Sequence, residues 1–387
     1  MLYRAAALAV LTASVAASDV RPTRDPETLV VHEWGTFTSV ADETGEAAQW
    51  LPLQSSYDLP CFVERYRHFA LKSSIRGTVR METPVLYFYA PREMTVDVSV
   101  RFPGGLITEW FPRADVLPAA TLPFDALTRP GFAGSARWSG VRVLPGSRED
   151  FPSDSRSSHY FVARETDAAP VEVAGVKEKF LFYRGVANVP VPLSAIAEAD
   201  GSVRVSRRDS IPLGTIVLFE RRGDTVGFEM RTVSDASATV ARPRLGSDLA
   251  ALTTSLERML TAKGLYPREA SAMVNTWRDS WFEEGTRVLY VLPEPTVDAM
   301  LPLQIQPRPA SVSRVFVGRI EVATPATMAA VTQALATRDG AALRRYGRFL
   351  LPFSERVVGD PAVRMDRTQI MEFMYRSLAA AVIPACQ

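Results

Sequence analysis

The chain has 387 residues, with Lys+Arg 44 against Asp+Glu 43, so it lacks the basic surplus of a nucleic-acid binder. Three histidines and two cysteines permit at most one three-histidine zinc site and one disulfide. The length supports a large core and favours two domains over one.

The chain opens M-L-Y-R, followed by a short apolar run that ends in V-A-A-S. One basic residue, about a dozen apolar residues and a small-residue site match a secretory signal, with cleavage expected after Ala17. The other reading is a short anchor or a buried helix. Loss of the signal removes Arg4 and no acid, leaving the charges balanced. No later stretch approaches the roughly 18 apolar residues of a membrane span. Asp19 to Glu27 is polar and contains proline, as a linker does.

Residues 29–40, L-V-V-H-E-W-G-T-F-T-S-V, have a strand pattern in which Gly35 marks a bulge or a close backbone approach. On a strand His32 and Trp34 share one face and Glu33 takes the other. Residues 75–90 resume as strand, and Val85 to Tyr89 is apolar on both faces, as in a central strand. Thr95 to Phe102 alternates and Leu106 to Phe111 follows Pro103-Gly104-Gly105. This predicts an antiparallel hairpin that places Glu109 in an aromatic run. Further strands are expected at Ala136 to Leu144, His159 to Arg164, Lys179 to Arg184 and Val203 to Arg207. A hairpin over Thr215 to Val233 should turn at Arg222-Gly223-Asp224.

The period changes near Pro243. Ser247 is placed to cap a helix with Leu249, Leu252, Leu256, Met259 and Leu260 in one stripe, closed by Gly264. Pro267 opens a second helix predicted to reach Glu284, with Gly285 after its end. Strands over Arg287 to Leu292 and Val315 to Val322, a helix from Thr324-Pro325 and a last helix begun by an Asp366/Gln369 capping box complete the pattern. The fold class expected is α+β: residues 1–17 signal, 18–28 linker, 29–240 an antiparallel β-sandwich-like domain, and 246–387 an α+β domain.

Familiar catalytic, nucleotide-binding and cofactor motifs are absent, so no cofactor is expected. A metal at His32 would need Glu33, Glu82 or Glu109 beside it, or all three histidines, His32, His68 and His159. Glu33, Glu82 and Glu109 each adjoin aromatic or apolar strand residues. They either line a sheet rim or pair with nearby arginines on the surface. In W-R-D-S-W-F-E-E-G, Trp277 and Trp281 share a helix face, which is a packing seam or a binding face. Glu283 and Glu284 sit where the helix dipole disfavours acids, so an arginine (Arg278 or Arg287) compensates them or they serve a site. Cys61 and Cys386 either pair in an oxidising compartment or remain buried thiols.

The phrases H-E-W-G-T-F-T-S-V, Y-D-L-P-C-F-V, R-M-E-T-P-V-L-Y-F-Y, G-L-I-T-E-W-F-P, F-L-F-Y-R-G and W-F-E-E-G-T-R-V-L-Y-V-L-P resemble a family of uncharacterised secreted bacterial proteins. The resemblance spans residues 31–293 and implies export from a bacterial cell. It transfers no catalytic residue.

Two functions are therefore carried forward. The first is an exported cell-envelope protein binding a glycan or peptide through Trp34, Trp110 and Trp281 in one cleft, with Glu33, Glu82 and Arg287. The second is a hydrolase that uses Glu109 with Glu283 or Glu284 as acid and base, or a metal on His32, at a site between the domains. Neither involves nucleic acid or a membrane span after the signal.

Overall fold

A computed structural model describes residues 28–53, 58–66, 75–119 and 125–377, the Tyr375 side chain excepted. The expected signal, the linker to Glu27, His68, Cys386 and the end of the last helix lie outside the described residues.

The chain is a mixed α/β protein built on several sheets. Its strands, in order, are β1 (Val30–Val40), β2 (Glu64–Arg65), β3 (Val79–Tyr89), β4 (Met94–Pro103), β5 (Gly105–Phe111), β6 (Asp115–Leu117), β7 (Ala133–Val143), β8 (Val171–Val173), β9 (Val176–Glu178), β10 (Leu181–Ala187), β11 (Leu193–Ala197), β12 (Val203–Arg207), β13 (Gly214–Arg222), β14 (Thr225–Val233), β15 (Ser237–Val240), β16 (Gly285–Val291), β17 (Leu303–Gln306) and β18 (Ser311–Glu321). The helices are α1 (His159–Val162), α2 (Leu249–Ala262), α3 (Pro267–Thr276), α4 (Arg278–Trp281), α5 (Glu294–Met300), α6 (Pro325–Ala336), α7 (Gly340–Arg344), α8 (Leu350–Glu355) and α9 (Arg367–Ser377).

Nine strands form one sheet in the order β14-β13-β16-β18-β1-β3-β10-β5-β2. β1 runs parallel to β18, and every other pairing among the described residues is antiparallel. The sheet takes strands from both sides of the expected boundary at 240–246, because β16 and β18 lie between β13 and β1. A second sheet, β17-β4-β7-β8-β9, with β6 on β7, and a third, β11-β12-β15, complete the set.

Alternation sorts the main sheet into two faces. Val31, Phe37, Leu86, Leu181, Tyr183, Leu218, Val288 and Phe316 pack in one core with Val96, Val98, Val100, Trp138 and Val143 of the second sheet and Leu193, Val203 and Val205 of the third. From the opposite face Trp34, Val85, Tyr87, Phe182, Val217, Leu289 and Val315 pack with Leu252, Leu256, Met273, Trp277 and Trp281 of the helical segment. Val85 to Tyr89 is buried throughout, as a strand covered on both sides must be. The irregularity expected at Gly35 is present as a register shift between Trp34 and Thr36.

Three local expectations are corrected. β4 and β5 do not form a hairpin: β4 pairs with β7 and β17, while β5 pairs with β10 and β2. Only Gly104 separates them, too short a link for a two-residue hairpin loop. Its φ of +66° turns the chain from one sheet into the other. The Gly104 N–H donates to the Phe132 carbonyl, and its own carbonyl accepts from Asn188 N–H, so both layers hold the corner.

His159 to Arg164 begins with a short helix, because the Ser158 hydroxyl caps the Tyr160 N–H at 3.2 Å and the buried Tyr160 ring packs in the helix-side core. The helix from Pro267 ends at Thr276, and a separate turn, α4, follows Trp277. Asp248, not Ser247, caps α2, and Asp366 with Gln369 forms the expected reciprocal cap of α9, whereas β18 starts at Ser311, four residues before the expected Val315, and β3 starts at Val79, four residues after the expected 75.

Candidate functional site: a buried charged floor

On the helix-facing side of the main sheet, one end is polar across six adjacent strands. From β16 to β5 these side chains are Arg287, Arg319 with Glu321, Thr36 with Thr38, Arg80 with Glu82, Arg184, and Glu109. The register aligns them: Arg287 lies opposite Glu321, Thr38 opposite both Arg319 and Arg80, Thr36 opposite Glu82, and Arg184 opposite Glu109. Register shifts in the β1–β3, β3–β10 and β10–β5 pairings, with the extra residues on β3 and β5, bring them to a common face. All are at most 5% exposed, so each charge needs a partner.

Arg184 makes a two-point contact with Asp58 at 2.8 and 3.1 Å. Arg319 donates to Glu283 Oε1 at 2.7 Å and to Ser280 Oγ at 2.8 Å. Arg348, from the turn Gly347–Phe349, lies 2.9 Å from Glu82 Oε1, an ion contact outside hydrogen-bond geometry. The Phe349 ring lies 4.6 Å from the Arg319 guanidinium and 5.0 Å from that of Arg348. Arg80 donates to the Pro52 carbonyl at 2.9 Å.

Arg287 explains the early end of the helix. Its Nε contacts both Glu321 oxygens, at 2.8 and 3.0 Å. Its other nitrogens take the carbonyls of Trp281, Glu283 and Glu284 at 2.7 to 2.8 Å. Those carbonyls would otherwise be the unmet end of a helix. The arginines that face the two carboxylates are not the expected Arg278 or Arg287: Glu283 pairs with Arg319, while Glu284 accepts from Gly223 N–H and lies 3.8 Å from Arg222.

Electrostatics keep Glu82 and Asp58 ionised. Burial raises the Glu82 carboxyl pKa, but the nearby Arg348, Arg80 and Arg319 outweigh it and hold the group below the usual glutamate range. Thr38 adds to this by proximity, without completing a hydrogen bond. Burial likewise opposes ionisation of Asp58, and Arg184 reverses it, holding Asp58 well below the usual aspartate range. Burial pushes Arg80 and Arg287 down to about 10.

For carboxyls depressed in the fold, the stabilisation is present above the unfolded pKa, about 4, and is lost as pH falls through the folded value. Urea midpoints are therefore expected to drop steadily below about pH 4, with a shallower fall in Glu82→Gln. Equal slopes in the two proteins would contradict the coupling.

The other sequence-derived site residues are scattered. Glu33 faces the inter-sheet core, where it accepts from Tyr183 O–H and from Arg314 Nε at 2.6 Å. Trp110 joins that core, whereas Trp34 and Trp281 are buried in the helix-side core. The expected cleft with three exposed tryptophans is thus not formed, since the rings are 0 to 9% exposed and divided between two faces.

His32 lies 2.6 Å from Glu269 Oε2 on the helix-facing side, while Glu33 points to the opposite face. Among the described residues no group of three or more His, Cys, Asp or Glu side chains is placed to hold a metal, so the site expected at His32 is not assembled there. Cys61 is engaged in a disulfide. Among the described residues no helix is long and apolar enough to cross a membrane.

Sequence reasoning found Glu82, Glu109, Glu283 and Arg287. It missed Thr36, Asp58, Arg80, Arg184, Arg319 and Arg348 as members of one cluster. The available signal was a lone charge set inside short apolar strand phrases, as in F-L-F-Y-R-G. No protein-family model matches the chain, and no curated protein shows significant similarity to it.

Proposed function

We propose that the chain is an exported binding protein of the bacterial cell envelope that holds a peptide by its carbonyl and carboxylate oxygens at the charged floor. One observation carries the reading. Among the described residues, no hydrogen-bond acceptor meets the buried hydroxyls of Thr36 and Thr38 or the buried Nε–H groups of Arg184, Arg319 and Arg348. The cluster has one comparable unmet acceptor, Glu82 Oε1. Buried polar groups left unmet cost about 1–3 kcal/mol each, so a ligand that brings oxygens is strongly favoured there.

A peptide fits better than a glycan because the tryptophan faces that would stack on a sugar ring are packed inside the cores. Hydrolysis by paired carboxyls needs one that keeps its proton. The arginines around Glu82 and Asp58 favour the opposite state at those two carboxyls, which suits binding of ligand N–H groups there, and Glu283, the acid expected to pair with Glu109, is held by Arg319. Export rests on the signal-like first residues, the resemblance to secreted proteins and the Cys61 disulfide, since disulfides persist in oxidising compartments.

Thermal unfolding of the purified protein against panels of short peptides and oligosaccharides tests the reading. Peptides are expected to raise the unfolding midpoint while saccharides leave it unchanged. A midpoint that responds to saccharides alone, or to neither panel, would overturn the proposal.

A further inference from the structure

A separate cavity of about 1170 Å³ opens beyond the far end of β3, away from the charged floor. Tyr89, Tyr266, Phe151, Lys179, Glu149 and Arg164 are among its lining residues. Tyr89 and Tyr266 stand edge to face, with centroids 4.8 Å apart and planes at 83°. Glu269 fixes both: it accepts from Tyr89 O–H at 2.7 Å and from Tyr266 N–H at 2.8 Å, and it also contacts His32. The aromatic wall is thereby held in place before any ligand arrives.

Arg268 lines the rim and pairs with the exposed Asp167, whereas Lys179 lies inside and is held in an asymmetric pair. The Lys179 side chain is only 4% exposed, whereas its partner Glu149 is 53% exposed and belongs to a segment without regular structure. The Lys179 ammonium otherwise donates only to the Ala168 carbonyl, at 3.2 Å, and lies 6.0 Å from the Phe151 ring. Arg164 is tied to the fully buried Glu178 at 2.7 and 2.8 Å and is surrounded by aromatic rings, so it adds positive potential but stays fixed. A buried ammonium keeps a counter-ion, because leaving it bare in a low dielectric is costly. A counter-ion on an exposed segment is the one that another anion can replace.

We infer that this cavity is a second binding site, for an aromatic carboxylic acid. The ligand carboxylate displaces Glu149 from Lys179 and the ligand ring lies against Tyr89 and Tyr266. Glu149 is then a built-in competitor for the anion. The inference is independent of peptide binding at the floor, and its test uses different residues.

Phenylacetate and, as a cationic control, benzylamine are titrated by calorimetry into the wild-type protein and into Glu149→Gln. The glutamine amide oxygen can still accept from the Lys179 ammonium after the charge is removed, and an unchanged far-UV circular dichroism spectrum is the check that the fold is kept. Removing a tethered competitor is expected to tighten phenylacetate binding about tenfold or more. Benzylamine is expected not to bind either protein more tightly than phenylacetate does. Tyr266→Leu in the Glu149→Gln background is expected to weaken phenylacetate again, which places the ligand in this cavity. Phenylacetate affinity that is unchanged or weaker in Glu149→Gln, binding that Tyr266→Leu leaves intact, or preferential binding of benzylamine would overturn the assignment.

Discussion

Arg287→Ala is expected to destabilise the protein by about 3–5 kcal/mol, the range for removing one member of a buried ion pair. Arg287 and Glu321 are both 0% exposed, so the variant leaves the Glu321 carboxyl group in the core with Arg319 as its remaining ion partner. It also frees the carbonyls of Trp281, Glu283 and Glu284, which have the Arg287 guanidinium as their donor. The loss should spread to Arg319, which contacts Glu321 at 3.3 Å and Glu283 at 2.7 Å. Urea denaturation followed by circular dichroism measures the effect. The double variant Arg287→Met, Glu321→Met should recover much of the loss, because it removes both charges and leaves apolar volume. A single variant within about 1 kcal/mol of wild type would show that Arg287 does not organise this end of the sheet.

Glu269→Ala carries the second large effect. Glu269 is fully buried on α3 and joins three elements: His32 on β1, Tyr89 on β3 and the Tyr266 N–H at the start of its own helix. Alanine leaves these groups facing a cavity, and each unmet buried donor costs about 1–3 kcal/mol, so a total of about 3 kcal/mol or more is expected. Glu269→Gln should cost less, because the amide oxygen still accepts one or two of these bonds. Equal losses for the two variants in urea denaturation would indicate that packing volume, and not the hydrogen bonds, is what Glu269 contributes.

The sequence revealed what depends on neighbours in the chain. The alternation of β4, the irregularity at Gly35, the Gly223 turn and the Asp366 cap are all local patterns, and all are present. What failed depends on distant partners. Val96 to Phe102 and Leu106 to Phe111 each read correctly as strands, yet their partners come from 133–143 and 181–187. The parallel pairing of β1 with β18 joins segments at opposite ends of the chain, and no residue in either announces it.

The candidate site follows the same rule. Glu82, Glu109 and Glu283 were recognisable as acids in apolar surroundings. Their placement at one polar end required three register shifts and the order of six strands, which periodicity alone does not give. Trp34 and Trp281 failed as ligand contacts for the opposite reason: their spacing suits a packing seam, and they pack.

Thr36→Val separates a binding floor from a structural ion network most directly. Valine keeps the branched shape and removes a hydroxyl that is 1% exposed in its residue and lacks a partner among the described residues. If the hydroxyl waits for a ligand oxygen, the free variant should be more stable than wild type by about 1 kcal/mol, since an unmet buried polar group is gone. The rise in midpoint produced by peptides should shrink or disappear in the same protein. A variant that is less stable than wild type and still responds fully to peptides would contradict the account.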